Sequence, residues 1–109
     1  MEDVHRIFTI FKEECPEVYA KHQALGKQIH EHGGPVDEKT RWLLKAAISA
    51  ASRHHRALET HLIGAREAGV TEEELLQALL LCVSTCGFPT FMEAYSILRG
   101  DRVQATSTS

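Results

Sequence analysis

The sequence predicts an all-α protein, and three observations carry that reading. Apolar residues recur at the i, i+3, i+4, i+7 spacing of one helix face, the prolines and most glycines fall between those stretches, and no segment alternates apolar and polar as a half-buried strand does. In order, the first helix covers 4–14, with Val4, Ile7, Phe8, Ile10 and Phe11 on one side. Pro16 interrupts it and opens a second, because proline suits a helix's first turn; Val18, Leu25 and Ile29 carry that helix to Gly33-Gly34-Pro35. Asp37 or Thr40 caps a long third stretch, from Glu38 to Ala68, in which Gly64 is the single poor helix former. It reads as one bent helix or as two. Gly69 follows, where a helix end favours positive φ. Thr71 and Glu74 have the spacing of a capping box, and Glu72, Glu73 and Glu74 suit the positive end of the helix dipole. The helix they start carries Leu75, Leu76, Leu79, Leu80 and Val83 and stops near Gly87-Phe88-Pro89. A last helix runs from about Thr90 to Leu98, with Phe91, Ala94, Tyr95 and Leu98 on one side. About five or six helices result, forming a single domain over 1–100, with a flexible polar tail at 101–109.

Composition narrows the function classes. A chain of 109 residues makes one domain but buries only about two-thirds of its unfolded surface, so a subunit partner would help it. Twelve basic against fifteen acidic residues give a net charge of −3, which argues against non-specific nucleic-acid binding. No apolar run approaches the roughly 18–20 residues of a membrane span, so no membrane partner is expected. The Met1-Glu2-Asp3 start is not a basic leader, so the three cysteines read as thiols of a cytoplasmic protein. The stretch 43–51, LLKAAISAA, is apolar on nearly every side except for Lys45 and Ser49. Such a helix is buried all round, either in the chain's own core or under a second subunit.

Chemistry concentrates directly after that stretch, in residues 52–61. On a helix His54 and His61, seven apart, share a face and are expected to line one pocket, where imidazoles suit proton transfer at neutral pH. His61 has a second reading, as a satisfied core histidine. His55 and Glu59, four apart, pair on a neighbouring exposed face. No two histidines have the H-E-x-x-H arrangement, and no metal site is expected. Cys82 and Cys86 sit four apart among Leu81, Val83 and Phe88, where cysteine acts as a small apolar residue.

Several of these pieces occur together in one known family. Asp37-Glu38-Lys39-Thr40-Arg41, then Ala46 to Ala51, then His61 through Leu75, and finally Gly87-Phe88-Pro89 resemble the carboxymuconolactone decarboxylase family, which includes the alkylhydroperoxidase D-like proteins. The likeness spans 36–98 and implies an all-α, alkylhydroperoxidase D-like helical bundle that assembles into homotrimers or homohexamers. The peroxidase branch of that family carries C-x-x-C-x-x-x-H and a relay glutamate. Carried over, the histidine falls on His61, the two cysteines on His54 and Ala57, and the glutamate on Trp42. Both sulfurs and the carboxylate are therefore missing from those positions. The decarboxylase branch also lacks the cysteine pair, and the likeness to it implies a cofactor-free lyase acting on a small carboxylated lactone. There His61 donates a proton, His54 and Trp42 line the site, and Arg53 or Arg56 holds a carboxylate.

Three readings stay open: such an acid–base lyase, a peroxiredoxin-like protein using Cys82 or Cys86 alone, and a non-catalytic oligomeric binding protein.

Overall fold

The computed structural model describes residues 2–100, with side chains from Arg6 onward; the polar tail expected at 101–109 lies outside the described residues. Among these residues there are seven helices and no strand: α1 (Glu2–Glu14), α2 (Pro16–His32), α3 (Glu38–Ala51), α4 (His55–Glu67), α5 (Glu72–Leu80), α6 (Cys82–Cys86) and α7 (Phe88–Leu98). The all-α expectation holds. The count exceeds five or six because the Glu38–Ala68 stretch is two helices and the helix after Thr71 breaks at Leu81. The chain divides into two compact units, Met1–Glu38 and Lys39–Ser109.

The first unit is a helical pair hinged at Cys15-Pro16. Proline disfavours α geometry in the residue before it, and Cys15 adopts φ −132°, ψ 63°, which ends α1 and lets Pro16 start α2. The Phe11 and Tyr19 rings meet edge-on across the break, 6.0 Å apart, and the Lys12 ammonium lies 5.6 Å from the Tyr19 centroid. α2 buries no residue, so its apolar Val18, Leu25 and Ile29 are all exposed.

The second unit holds the core. Ala46 and Ala50 of α3, Leu58, Leu62 and Ala65 of α4, and Leu75 and Leu79 of α5 meet Phe91, Ala94 and Leu98 of α7. Leu75, Leu79, Phe91, Ala94 and Leu98 are among the positions that helical spacing placed on one side, whereas Leu80, read with them, is exposed. α7 is the common partner, packing on α4, α5 and α6.

Two helix ends close in the same way. After α4, Gly69 takes φ +91°, its N–H donates to the Arg66 carbonyl and that of Val70 to the Ala65 carbonyl, a Schellman end. After α3 the same pattern recurs, with the Arg53 N–H on Ala50 and the His54 N–H on Ser49, but the left-handed residue is Arg53, at φ +59°. A side chain is disfavoured in that conformation. Arg53 is held there by a bidentate contact to Glu93 of α7, at 2.9 and 2.5 Å. With no glycine at position 53 to announce the turn, the sequence did not choose between one helix and two. The capping box at Thr71 forms as read: the Thr71 N–H donates to Glu74 Oε1 (2.8 Å) and the Glu74 N–H to Thr71 Oγ1 (3.1 Å).

α3 resolves the question posed by its apolar stretch. Ala46, Ser49 and Ala50 are buried, whereas Leu44 and Ile48 on the other side are 48 % and 62 % exposed. The chain's own core therefore covers one side of this helix only.

Candidate functional site

The site is built where α3 crosses α4. Trp42, Lys45 and Ser49 stand at i, i+3 and i+7, one face of α3, and they meet His61 and Gly64 on α4. His61 is half-buried, with Nδ1 2.8 Å from Ser49 Oγ and 3.3 Å from the Lys45 carbonyl oxygen. A carbonyl can only accept, so both contacts are satisfied together when the proton sits on Nδ1 and donates to them. That tautomer puts the titrating lone pair of the imidazole on Nε2 and fixes the ring's direction. Ser49 itself is buried, 4 % exposed, which gives the anchor a defined position.

Trp42 forms the wall. Its ring meets His61 edge-on, centroids 6.3 Å apart at 61°. It lies over Gly64 so closely that a Cβ there would stand 2.3 Å from Trp42 Cη2. Glycine at position 64 is thus explained by the ring above it, and its helix cost of about 1 kcal/mol is the other side of that fit. The Lys45 ammonium rests 4.7 Å from the Trp42 centroid, and its burial pulls the pKa below the ordinary lysine value.

The other expected residues separate. His54 is exposed at the N-cap of α4, makes no side-chain cap bond, and its carbonyl accepts the Leu58 N–H. Arg53 is occupied by Glu93, and Arg56 is exposed. His55 contacts Glu93 Oε1 at 3.2 Å instead of Glu59. Of the expected set the structure joins Trp42 to His61, and it adds Ser49, Lys45 and Gly64. The signal for the first two was present as the two polar exceptions in LLKAAISAA, spaced four apart and in register with Trp42.

Cys82 and Cys86 lie elsewhere, along an apolar groove of about 520 Å³ between α3 and the α5–α6 segment, lined among others by Leu44, Ile48 and Leu81. Neither His54 nor His61 lines it. Burial, and then the neighbouring Cys86, push the Cys82 thiol up, away from thiolate character. Among the described residues no three of His, Cys, Asp and Glu gather as metal ligands would, and no helix is long and apolar enough to cross a membrane.

Comparison with known proteins gives the chain's family. The chain is 31 % identical over 90 residues to the uncharacterized protein MJ0742 of Methanocaldococcus jannaschii, covering 82 % of this chain and 86 % of that protein. Its fold is similar to that of apo-lpg0406, a carboxymuconolactone decarboxylase family protein from Legionella pneumophila, with TM-score 0.79, 26 % identity, and coverage of 90 % of this chain and 87 % of the other. Residues 16–100 match the carboxymuconolactone decarboxylase family, a region that reaches further towards the start than the 36–98 resemblance and takes in α2. The chain belongs to the carboxymuconolactone decarboxylase family.

Proposed function

We propose that this protein is a cofactor-free acid–base lyase that decarboxylates a small carboxylated, unsaturated lactone or a similar metabolite, with His61 as the proton donor. The observation that carries the reading is the double anchoring of His61 Nδ1 by Ser49 and the Lys45 carbonyl. An unsaturated lactone is its own electron sink. As the C–CO₂ bond breaks, its electron pair moves into the conjugated carbonyl, CO₂ leaves, and a dienolate remains. The imidazolium delivers its Nε2 proton to carbon and is reprotonated from water, so atoms and charge balance without a further reactant. A histidine whose other nitrogen is fixed by a buried hydroxyl is suited to that step, because its aim is set before the substrate arrives. His54, seven residues earlier and exposed at the N-cap of α4, is assigned the rim of the site; Arg56 stands on another side of α4.

Thiol chemistry has less support. The family's redox positions hold His54 and Ala57, and the Cys82 thiol is pushed up. The three cysteines are free thiols, which fits a reducing, cytoplasmic setting. Assembly into a homotrimer or homohexamer is also proposed. The exposed side of α3 and Leu81, 67 % exposed beside the groove, support it.

The test is turnover. Purified protein treated with a chelator is offered carboxylated unsaturated lactones and CO₂ release is followed. Wild type should release CO₂, and H61Q should be slower by about 10²–10⁴-fold, the usual contribution of a general acid. H61Q turning over like wild type would defeat the reading.

A further inference from the structure

The thiols of Cys82 and Cys86 have no part in the lyase reading, yet they are set as a pair. They begin and end α6, four residues apart, so both fall on one side of the helix, and their side chains are in hydrogen-bond contact. Both are free, Cys82 buried and Cys86 half-buried, and both line the groove of about 520 Å³ between α3 and the α5–α6 segment. The rest of that lining is largely aliphatic, with Leu43, Ala47, Ile48 and Leu81 among it. Residues four apart on a helix hold their Cβ atoms about 5–6 Å from each other, and a disulfide needs about 3.5–4.5 Å. A direct S–S bond would therefore unwind α6, whereas a single atom bonded to both sulfurs spans the gap with the helix intact.

The surroundings select that atom. A structural zinc site needs four ligands, and among the described residues no third Cys, His, Asp or Glu joins the pair as a ligand. Other soft cations take thiolates, which would leave ionised sulfur against an aliphatic wall, a costly burial. Burial and the neighbouring Cys86 instead favour the protonated Cys82 thiol. Trivalent arsenic meets each demand: it is thiophilic, it forms three bonds, and its dithiolate is neutral. We propose that Cys82 and Cys86 form a binding site for a monosubstituted trivalent arsenical, with both sulfurs bonded to arsenic and the arsenical's apolar group, aryl or alkyl, lying in the groove along α3. The step is a condensation. For R–As(OH)₂, two As–O bonds break and two As–S bonds form, and each thiol proton leaves with a hydroxyl as water. Arsenic stays trivalent and both sulfurs keep their oxidation state, so no oxidant or reductant takes part. Inorganic arsenite, with a third hydroxyl in place of R, lacks the group that the aliphatic wall would bury.

His61 does not line the groove, so the test is independent of turnover and of the lyase reading. Wild type, C15S, C82S, C86S and H61Q, kept reduced with a phosphine in place of a dithiol, are treated with phenylarsine oxide. Circular dichroism confirms folding, and C82A and C86A, which keep a small apolar side chain, replace a serine variant that does not fold. The adduct is challenged with excess glutathione, a monothiol, and counted by intact-mass spectrometry. Wild type, C15S and H61Q should each keep one phenylarsenic group per chain, and ethanedithiol should remove it. C82S and C86S should bind at least about a hundredfold more weakly, because the second As–S bond of the pair is an intramolecular one, and glutathione should strip them. Arsenite should bind wild type at least about tenfold more weakly than phenylarsine oxide, for want of the buried ring. The assignment would be overturned by wild type that keeps no adduct against glutathione, by an adduct that survives loss of Cys82 or Cys86, or by one that needs Cys15. Arsenite binding as tightly as phenylarsine oxide would overturn it equally.

Discussion

A glycine-to-alanine change inside an exposed helix ordinarily stabilises it by about 1 kcal/mol. At Gly64 the structure dictates otherwise. The new Cβ would stand 2.3 Å from Cη2, 2.4 Å from Cζ3 and 2.9 Å from Cζ2 of Trp42. Carbon atoms in contact sit about 3.5 Å apart, so the ring must retreat by about 1.2 Å. Overpacking of that kind costs about 1–3 kcal/mol, which offsets the helix gain and leaves G64A between unchanged and about 2 kcal/mol less stable. The ring that moves is the one facing His61 at 6.3 Å, so the site is disturbed along with the fold. Urea denaturation followed by circular dichroism gives the stability, and the emission of the single tryptophan gives the ring's surroundings. G64A should show a denaturation midpoint no higher than wild type and a shifted emission maximum. A midpoint raised by the full alanine gain, with unchanged emission, would refute the packing described for Trp42 and Gly64.

Other consequences follow from the same contacts. Removing the buried hydroxyl with S49A should cost about 1 kcal/mol of stability and lower kcat more than it alters KM. ¹⁵N NMR should show the His61 proton on Nδ1 in wild type, and a predominant Nε2–H tautomer there would contradict the anchoring. R53A and R53G both lose the contact to Glu93, so their difference isolates the backbone at φ +59°. R53A should be the less stable by about 1 kcal/mol, and equal midpoints would refute strain at that turn. The carboxyls of Glu72, Glu74 and Glu93 are held below their ordinary range, chiefly by Arg66, by the Thr71 backbone N–H and by Arg53 respectively. A lowered folded pKa means the native state binds fewer protons than the unfolded chain. The stability these groups add is present above the unfolded pKa and is lost as pH falls through the lowered value. Denaturation midpoints should therefore drop as pH falls through the ordinary glutamate value of 4.5 and below it, less steeply in high salt; a flat profile there would contradict these contacts. Light scattering should give a trimer or hexamer for wild type and a smaller species for L81D, and a monomeric wild type would remove the proposed assembly.

What was legible in the sequence was what local chemistry decides. Thr71 and Glu74 are three residues apart and satisfy each other's backbone, so their capping box needed nothing from the rest of the fold. Gly69 announced its own left-handed turn. Core positions such as Leu75, Leu79, Phe91 and Leu98 followed from periodicity, and the fold class with them. The misses involve partners distant in sequence. Arg53 ends α3 where a glycine would be expected, and Glu93, forty residues on, holds it there. The same carboxylate draws His55 away from the Glu59 that helical spacing assigned to it. Gly64 read as a weak point of a helix, and only the Trp42 ring gives it a purpose. Ser49 and Lys45 read as polar exceptions in an apolar run, and they became chemically meaningful once α3 was laid against His61. Of the candidate site, His61 was found from its spacing to His54 and again from the family likeness, and Trp42 from the likeness alone, while the residues that orient and charge the site needed the α3–α4 crossing.

That crossing is credited with aiming a proton at carbon, and isotope placement reads the aim directly. The lyase reaction run in D₂O should place one deuteron on the carbon α to the lactone carbonyl, on a single face, as a fixed imidazolium would deliver it. H61Q should release CO₂ far more slowly, and any product it forms should carry deuterium on both faces. Deuterium on both faces from wild type, or single-face delivery that survives H61Q, would contradict His61 as the proton donor.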